Sequence, residues 1–209
     1  MATRDPEATR QRLLDAGLRE FSEKGIAGAR VDAIASAART NKRMLYYYFG
    51  SKEGLFREIL RQKLSERAAS LAGQPVTSAE RLRRRQELHA ADLDYVRMLV
   101  WEALEAGPTG PVVDEEERTA VYQHWIARVR EQQAEGLMPD DLDPGQLALS
   151  ELALTLLPFL LPQVARLVTG RAVTDPVFLE QRAAFLDALT RRLDRRAQEP
   201  SPGSSASER

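Results

Sequence analysis

Lys42 and Arg43 follow Asn41 directly, and Tyr46 and Tyr47 recur one helical turn later. An ammonium, a guanidinium and two phenols on one face suit an extended polyanion. Cationic side chains can meet guanine edges or phosphate oxygens, and tyrosine hydroxyls bond phosphates and fix register without reading sequence. Lys52 stands at the start of the next predicted helix, where its ammonium and the free backbone N–H groups can hold one more phosphate. Arg30 and Thr40 flank the same region as further candidate contacts. The competing reading of such a face is a merely solvated one, and for Met44 the alternatives are a thymine methyl or plain exposure. Other chemistries lack their residues. The chain has no cysteine, and its two histidines, His89 and His124, have no metal-ligand spacing. There is no glycine-rich phosphate loop, no nucleophile elbow and no paired acid and base. The sequence therefore predicts no enzyme, no metal and no cofactor.

The elements that must carry this face read as helices throughout. A short helix through Val31, Ile34, Ala35 and Ala38 and another over Lys42 to Tyr47 are joined by a tight connection around Ala38 to Asn41. Ile34, Ala35, Ala38 and Leu45 supply small apolar contacts for a close crossing, with Asn41 as a good N-cap. Asp5-Pro6-Glu7 starts the first helix, with a cap, a proline at the first position and an acid at the positive dipole end. Leu14, Gly17, Leu18 and Phe21 repeat at helical spacing, and Gly25 is a suitable stop. Ser51 caps a long connecting helix that ends near Gly73. Further helices are expected over about 78–106, 114–135, 144–170 and 176–197. The third of these carries kink points at Pro158 and Pro162. No segment reads as a strand, and the fold class is all-α.

Net charge is −1 over 209 residues, which hides an asymmetry. Residues 1–63 hold 13 Lys/Arg and 8 Asp/Glu, whereas the rest hold 17 and 23. A head at +5 on a body at −6 points to a polyanionic partner for the head. The start of the chain lacks the apolar run of a secretory signal. The most apolar stretch, 147–165, is broken by Glu151, Pro158 and Pro162, so no membrane span and a cytoplasmic location are expected.

Residues of about 10 to 56 resemble the DNA-binding head of the TetR/AcrR family. Phe21 and Gly25 match the aromatic and glycine that end its first helix. Ile34, Ala35 and Ala38 match the second helix, and Leu45, Tyr46, Tyr47, Tyr48, Phe49 and Lys52 match its closing pattern. There are departures. Arg39 stands where the family has a turn glycine, so the turn adopts the left-handed region without glycine, or Arg39 itself faces phosphate. Ala29-Arg30 replaces a Thr or Ser cap, with Arg30 available for the lost phosphate contact. Asn41 replaces a serine.

The resemblance implies a three-helix helix-turn-helix head, joined by a helix to a C-terminal ligand-binding and dimerisation domain. The expected boundaries are 5–51 for the head and 52–198 for the body, with a disordered tail over 199–209. The implied function is a sequence-specific DNA-binding transcriptional regulator, a repressor released from a palindromic double-stranded operator when a small molecule binds the body. The implied contacts are Arg30, Thr40, Asn41, Lys42, Arg43, Tyr46, Tyr47 and Lys52, whereas Tyr48 and Phe49 are expected to pack. A homodimer is implied, with 144–170 and 176–197 forming a four-helix bundle with a partner copy. Candidate ligand-lining residues are Tyr95, Met98, Trp101, Glu102, Tyr122 and Trp125, which suit an ordinary core as well.

Overall fold

The computed structural model describes residues 5–71 and 77–197. Its helices, in chain order, are α1 (Pro6–Gly28), α2 (Val31–Ala37), α3 (Lys42–Phe49), α4 (Lys52–Leu71), α5 (Ser78–Ala91), α6 (Leu93–Ala106), α7 (Glu115–Ala134), α8 (Pro144–Leu160), α9 (Pro162–Thr169) and α10 (Pro176–Ala197). No strand occurs among the described residues, so the all-α expectation holds. The expected tail, 199–209, lies outside the described residues.

The helix starts follow their caps. The Asp5 carboxylate accepts from the backbone N–H groups of Glu7 at 3.0 Å and Ala8 at 3.4 Å, with Pro6 in the first turn. Asp143 repeats the arrangement before Pro144, accepting from Gln146 N–H at 2.8 Å. Asp175 accepts from Val177 N–H at 2.8 Å, and that backbone bond, with Arg171 alongside, holds its carboxyl below the usual range. Ser51 Oγ accepts from Gly54 N–H at 2.9 Å at the start of α4. Each cap satisfies a donor that the first helical turn cannot.

Two expected helices are interrupted. The stretch 78–106 breaks at Asp92, whose backbone (φ −139°, ψ 73°) leaves the helical region. Its carboxylate caps α6 through Tyr95 N–H at 3.1 Å and holds Lys63 Nζ at 2.9 Å. A short acid that can bond the backbone two or three residues on competes with helix continuation. The stretch 144–170 breaks at Leu161, and α8 and α9 diverge by 91°. Pro162 cannot donate to the preceding turn and disfavours helical backbone at Leu161. No single helix among the described residues is long and apolar enough to cross a membrane.

The helices fall into two units, α1–α4 with α6, and α5 with α7–α10. In the first, α1 buries Leu13, Leu14, Ala16, Gly17 and Phe21, one stripe at helical spacing. Gly17 permits close approach to α4, since a Cβ there would lie 2.8 Å from Ile59 Cδ1. Phe21 meets Phe56 edge to face at 5.4 Å. The stretch that becomes α6, which the sequence places in the body, packs on α1 within this unit.

The second unit has an apolar cluster of Trp125, Val129, Met138 and Ala148, with Ile126, Leu147 and Leu152 around it. Beside it α5 buries polar side chains. Arg81 bonds both oxygens of Glu151 at 2.6 and 3.0 Å and reaches Gln132 Oε1 at 3.3 Å. The Arg85 guanidinium lies 3.5 Å above the Trp125 ring, and Gln86 donates to the Leu179 carbonyl at 2.9 Å.

Candidate nucleic-acid interface

Helices α2 and α3 cross over Ile34, Ala35, Ala38 and Leu45, all buried. The turn between them closes by two reverse bonds, Arg39 N–H to the Ser36 carbonyl and Thr40 N–H to the Ala35 carbonyl, both at 3.0 Å. This is the Schellman pattern, and it requires a left-handed residue after the cap. Arg39 occupies that place at φ 53°. A non-glycine residue in this region costs about 1–2 kcal/mol. Glycine would remove the strain but add entropy to the unfolded chain, roughly 0.5–1 kcal/mol. Arg39→Gly is therefore expected to stabilise the protein slightly, by less than about 1 kcal/mol, in a urea titration. Any loss of DNA affinity in that variant would then report the guanidinium and not the turn.

Arg12 braces the same turn from α1. Its Nε donates to the Ala38 carbonyl at 3.1 Å and its Nη2 to Thr9 Oγ1 at 2.8 Å. The sequence gives no sign of this contact, because the partner is a main-chain atom 26 residues away. Asn41 caps α3, its Oδ1 accepting from Met44 N–H at 3.3 Å.

The outer face of α3 carries Lys42, Arg43, Tyr46 and Tyr47, all exposed, with Tyr47 at 78%. These positions share one side of a helix. Met44 and Thr40 are half-buried. Lys42 Nζ lies 3.5 Å from Asp32 Oδ1, a pair open to solvent and weak. The next two aromatics turn inward. Tyr48 donates its hydroxyl to the Pro6 carbonyl at 3.0 Å, and Phe49 sits beneath the Arg10 guanidinium at 5.8 Å.

Lys52 is half-buried and its Nζ donates to the Ala29 carbonyl at 3.2 Å, so it ties the start of α4 to the approach to α2. Arg30 is exposed. Its backbone N–H donates to Glu20 Oε1 at 3.1 Å, and no side chain caps α2. Burial raises the Glu20 pKa, but the bonds from Lys24 and Arg30 N–H outweigh it and leave this carboxyl below its ordinary value.

The six candidate ligand-lining residues divide between the units. On α6, Met98 is fully buried, and Tyr95 is buried beneath Arg67 at 4.2 Å. Burial lowers the Arg67 pKa. Trp101 donates from Nε1 to the Ser22 carbonyl at 3.3 Å, and buried Glu102 accepts from Val113 N–H at 2.7 Å. On α7, Tyr122 is exposed and Trp125 lies in the apolar cluster. His89 is buried beside Phe159, His124 is exposed, and no metal-ligand cluster occurs among the described residues.

Residues 13–59 match the family of bacterial regulatory proteins, tetR family, and residues 67–192 match the tetracyclin repressor-like C-terminal domain. The HTH-type transcriptional repressor SCO4008 of Streptomyces coelicolor is 37% identical over 170 residues, 81% of this chain and 88% of that protein. The repressor NicS of Pseudomonas putida is 46% identical over 54 residues, 26% of each chain. The crystal structure of SCO4942 from Streptomyces coelicolor superposes with a TM-score of 0.75 at 28% identity, covering 88% of this chain and 97% of that one. Because the likeness runs through head and body together, this chain belongs to the TetR family and is a DNA-binding transcriptional regulator, not an enzyme.

Proposed function

We propose that this regulator is a cytoplasmic homodimeric repressor that reads a palindromic operator with residues 5–51 and is released when a small molecule binds the body, residues 52–198. The observation that carries the reading is the exposed cationic and aromatic face of α3, standing on a helix crossing whose other side is fully buried. In a helix-turn-helix the N-terminal part of the second helix enters the major groove. Lys42 and Arg43 then reach base edges or phosphates, and Tyr46 and Tyr47 bond phosphates. Arg30, Thr40, Asn41 and Lys52 extend the contact along the backbone.

A dimer suits this geometry, since one such head has a small footprint and two-fold proteins read two half-sites. Leu157 on α8, Leu167 and Val168 on α9 and Phe185 on α10 are about half exposed or more, the kind of apolar surface a second copy would cover. The effector site is assigned to the body, where the buried Trp125 indole N–H lacks an acceptor. Tyr95, Met98, Glu102 and Tyr122 are further candidates. Release follows if the ligand favours an arrangement of the heads that fits DNA less well.

Fluorescence anisotropy tests the DNA reading, using a duplex enriched from a random library on the wild-type protein. Preference for that duplex over random DNA at moderate salt is expected, and equal binding would refute it. Lys42→Ala and Lys52→Ala should each weaken binding. The Lys52 change should also lower the slope of log affinity against log salt by about one unit. An unchanged slope would remove Lys52 from the phosphate contacts.

A further inference from the structure

Gly25 breaks the helical path of α1, with φ 67° and ψ 179°. Trp101 of α6 closes over the break. A Cβ on Gly25 would lie 2.7 Å from Trp101 Cε3, 2.8 Å from Cδ2 and 3.1 Å from Cζ3, so the benzo edge of the indole rests against the bare Cα. Two requirements meet at this position. The left-handed φ favours glycine, and the indole leaves no room for any side chain.

The polar atoms of α6 hold the main chain on both sides of the break. Trp101 Nε1 donates to the Ser22 carbonyl at 3.3 Å, before it. Glu105, one helical turn after Trp101, accepts from Ala27 N–H at 3.2 Å, beyond it. The chain from Ala27 leads within three residues to Arg30, the residue before α2. That short stretch is fixed at its far end by Lys52 on the Ala29 carbonyl and by Arg30 N–H on Glu20. The course of residues 25–30 sets where α2 begins, and α2 carries α3 across it through buried Ile34, Ala35 and Leu45.

We infer that Trp101 and Glu105 are positioning residues for operator binding: from α6 they fix the exit of α1, and through it the presentation of the helix-turn-helix, without touching DNA. Trp101 thereby leaves the set of ligand-lining candidates. Its N–H is engaged by the Ser22 carbonyl and the benzo edge of its ring by Gly25.

The test uses the full-length protein with two duplexes, the enriched one and random DNA, alongside thermal unfolding. Trp101→Ala is expected to lower affinity for the enriched duplex about tenfold. Random DNA, held by charge contacts that the variant keeps, should be bound much as before. Trp101→Phe keeps a ring on Gly25 and should recover most of the loss. Glu105→Gln keeps an acceptor for Ala27 N–H and should bind as wild type, whereas Glu105→Ala should not. The emission difference between wild type and Trp101→Phe isolates Trp101. It should change on adding the enriched duplex and not on adding random DNA. Wild-type affinity in both alanine variants would overturn the inference. So would parallel loss of enriched and random binding tracking the melting temperature, since that pattern marks a purely structural contact. Should Trp101→Ala fail to fold, Glu105→Ala and the emission difference decide by the same criteria.

Discussion

Phe21→Ala is expected to destabilise the α1–α4 and α6 unit by about 3–5 kcal/mol. Phe21 is fully buried, and its ring meets Phe56 edge to face. Truncation removes the apolar transfer term and that ring contact together, and leaves a cavity. Relaxation into the gap is limited, because Leu13, Leu55 and Leu60 nearby in α1 and α4 are themselves fully buried in helices that approach closely at Gly17. Against a total stability of about 5–15 kcal/mol this is a large share. A urea titration followed by circular dichroism would measure it, and specific DNA binding should fall with the folded fraction. Phe21→Leu should cost clearly less. If alanine and leucine cost the same, the cavity account fails.

The second large effect concerns charge. Glu151→Ala is expected to cost about 3–5 kcal/mol, because it strands the Arg81 guanidinium in a poorly solvated place. The two side chains are 8% and 15% exposed, and they pair through both carboxylate oxygens. Gln132 Oε1 and Ser78 Oγ also accept from Arg81, and they soften the loss without replacing the charge. The double variant Arg81→Met with Glu151→Leu gives a result opposite to simple addition. With both charges gone and volume roughly kept, stability should return close to wild type. A double variant as unstable as the sum of the two single changes would show that the ion pair is not the source of the effect.

How much of this was legible in the sequence depends on the range of each interaction. Asp5-Pro6, Asp143-Pro144 and Asp175-Pro176 announce helix starts because cap and backbone lie within three residues. The helix-turn-helix is legible for the same reason, through Asn41, the small residues at Ala35 and Ala38 and the basic turn that follows. Asp92 is the exception among local signals. Set between apolar-periodic stretches it reads as an exposed helical acid, and only its backbone angles reveal the break. The remaining features have partners far along the chain. Arg12 meets Ala38, Trp101 meets Ser22 and Arg81 meets Glu151, 26, 79 and 70 residues apart. Periodicity states that a helix has a buried face, but not what lies against it. Trp101 therefore reads equally as a pocket or a core aromatic, and only the structure shows that it rests on Gly25, itself legible as a helix stop.

The break at Asp92 also bears on the order in which the protein is made. The first unit is not contiguous in sequence, since α6 joins it only after α5 has gone to the second unit. When α4 leaves the ribosome, the wall that covers Gly25 has not yet emerged, because Trp101 and Glu105 lie 30 and 34 residues beyond Leu71. At about 5–20 residues per second this is a delay of seconds, long beside the folding of small helical domains. During that interval the nascent head has its DNA-reading helices but not the contacts that set their exit from α1. On the inference drawn from Trp101 and Glu105, the head gains its final presentation only with the arrival of α6, and the proposed dimer surface on α8–α10 follows later still.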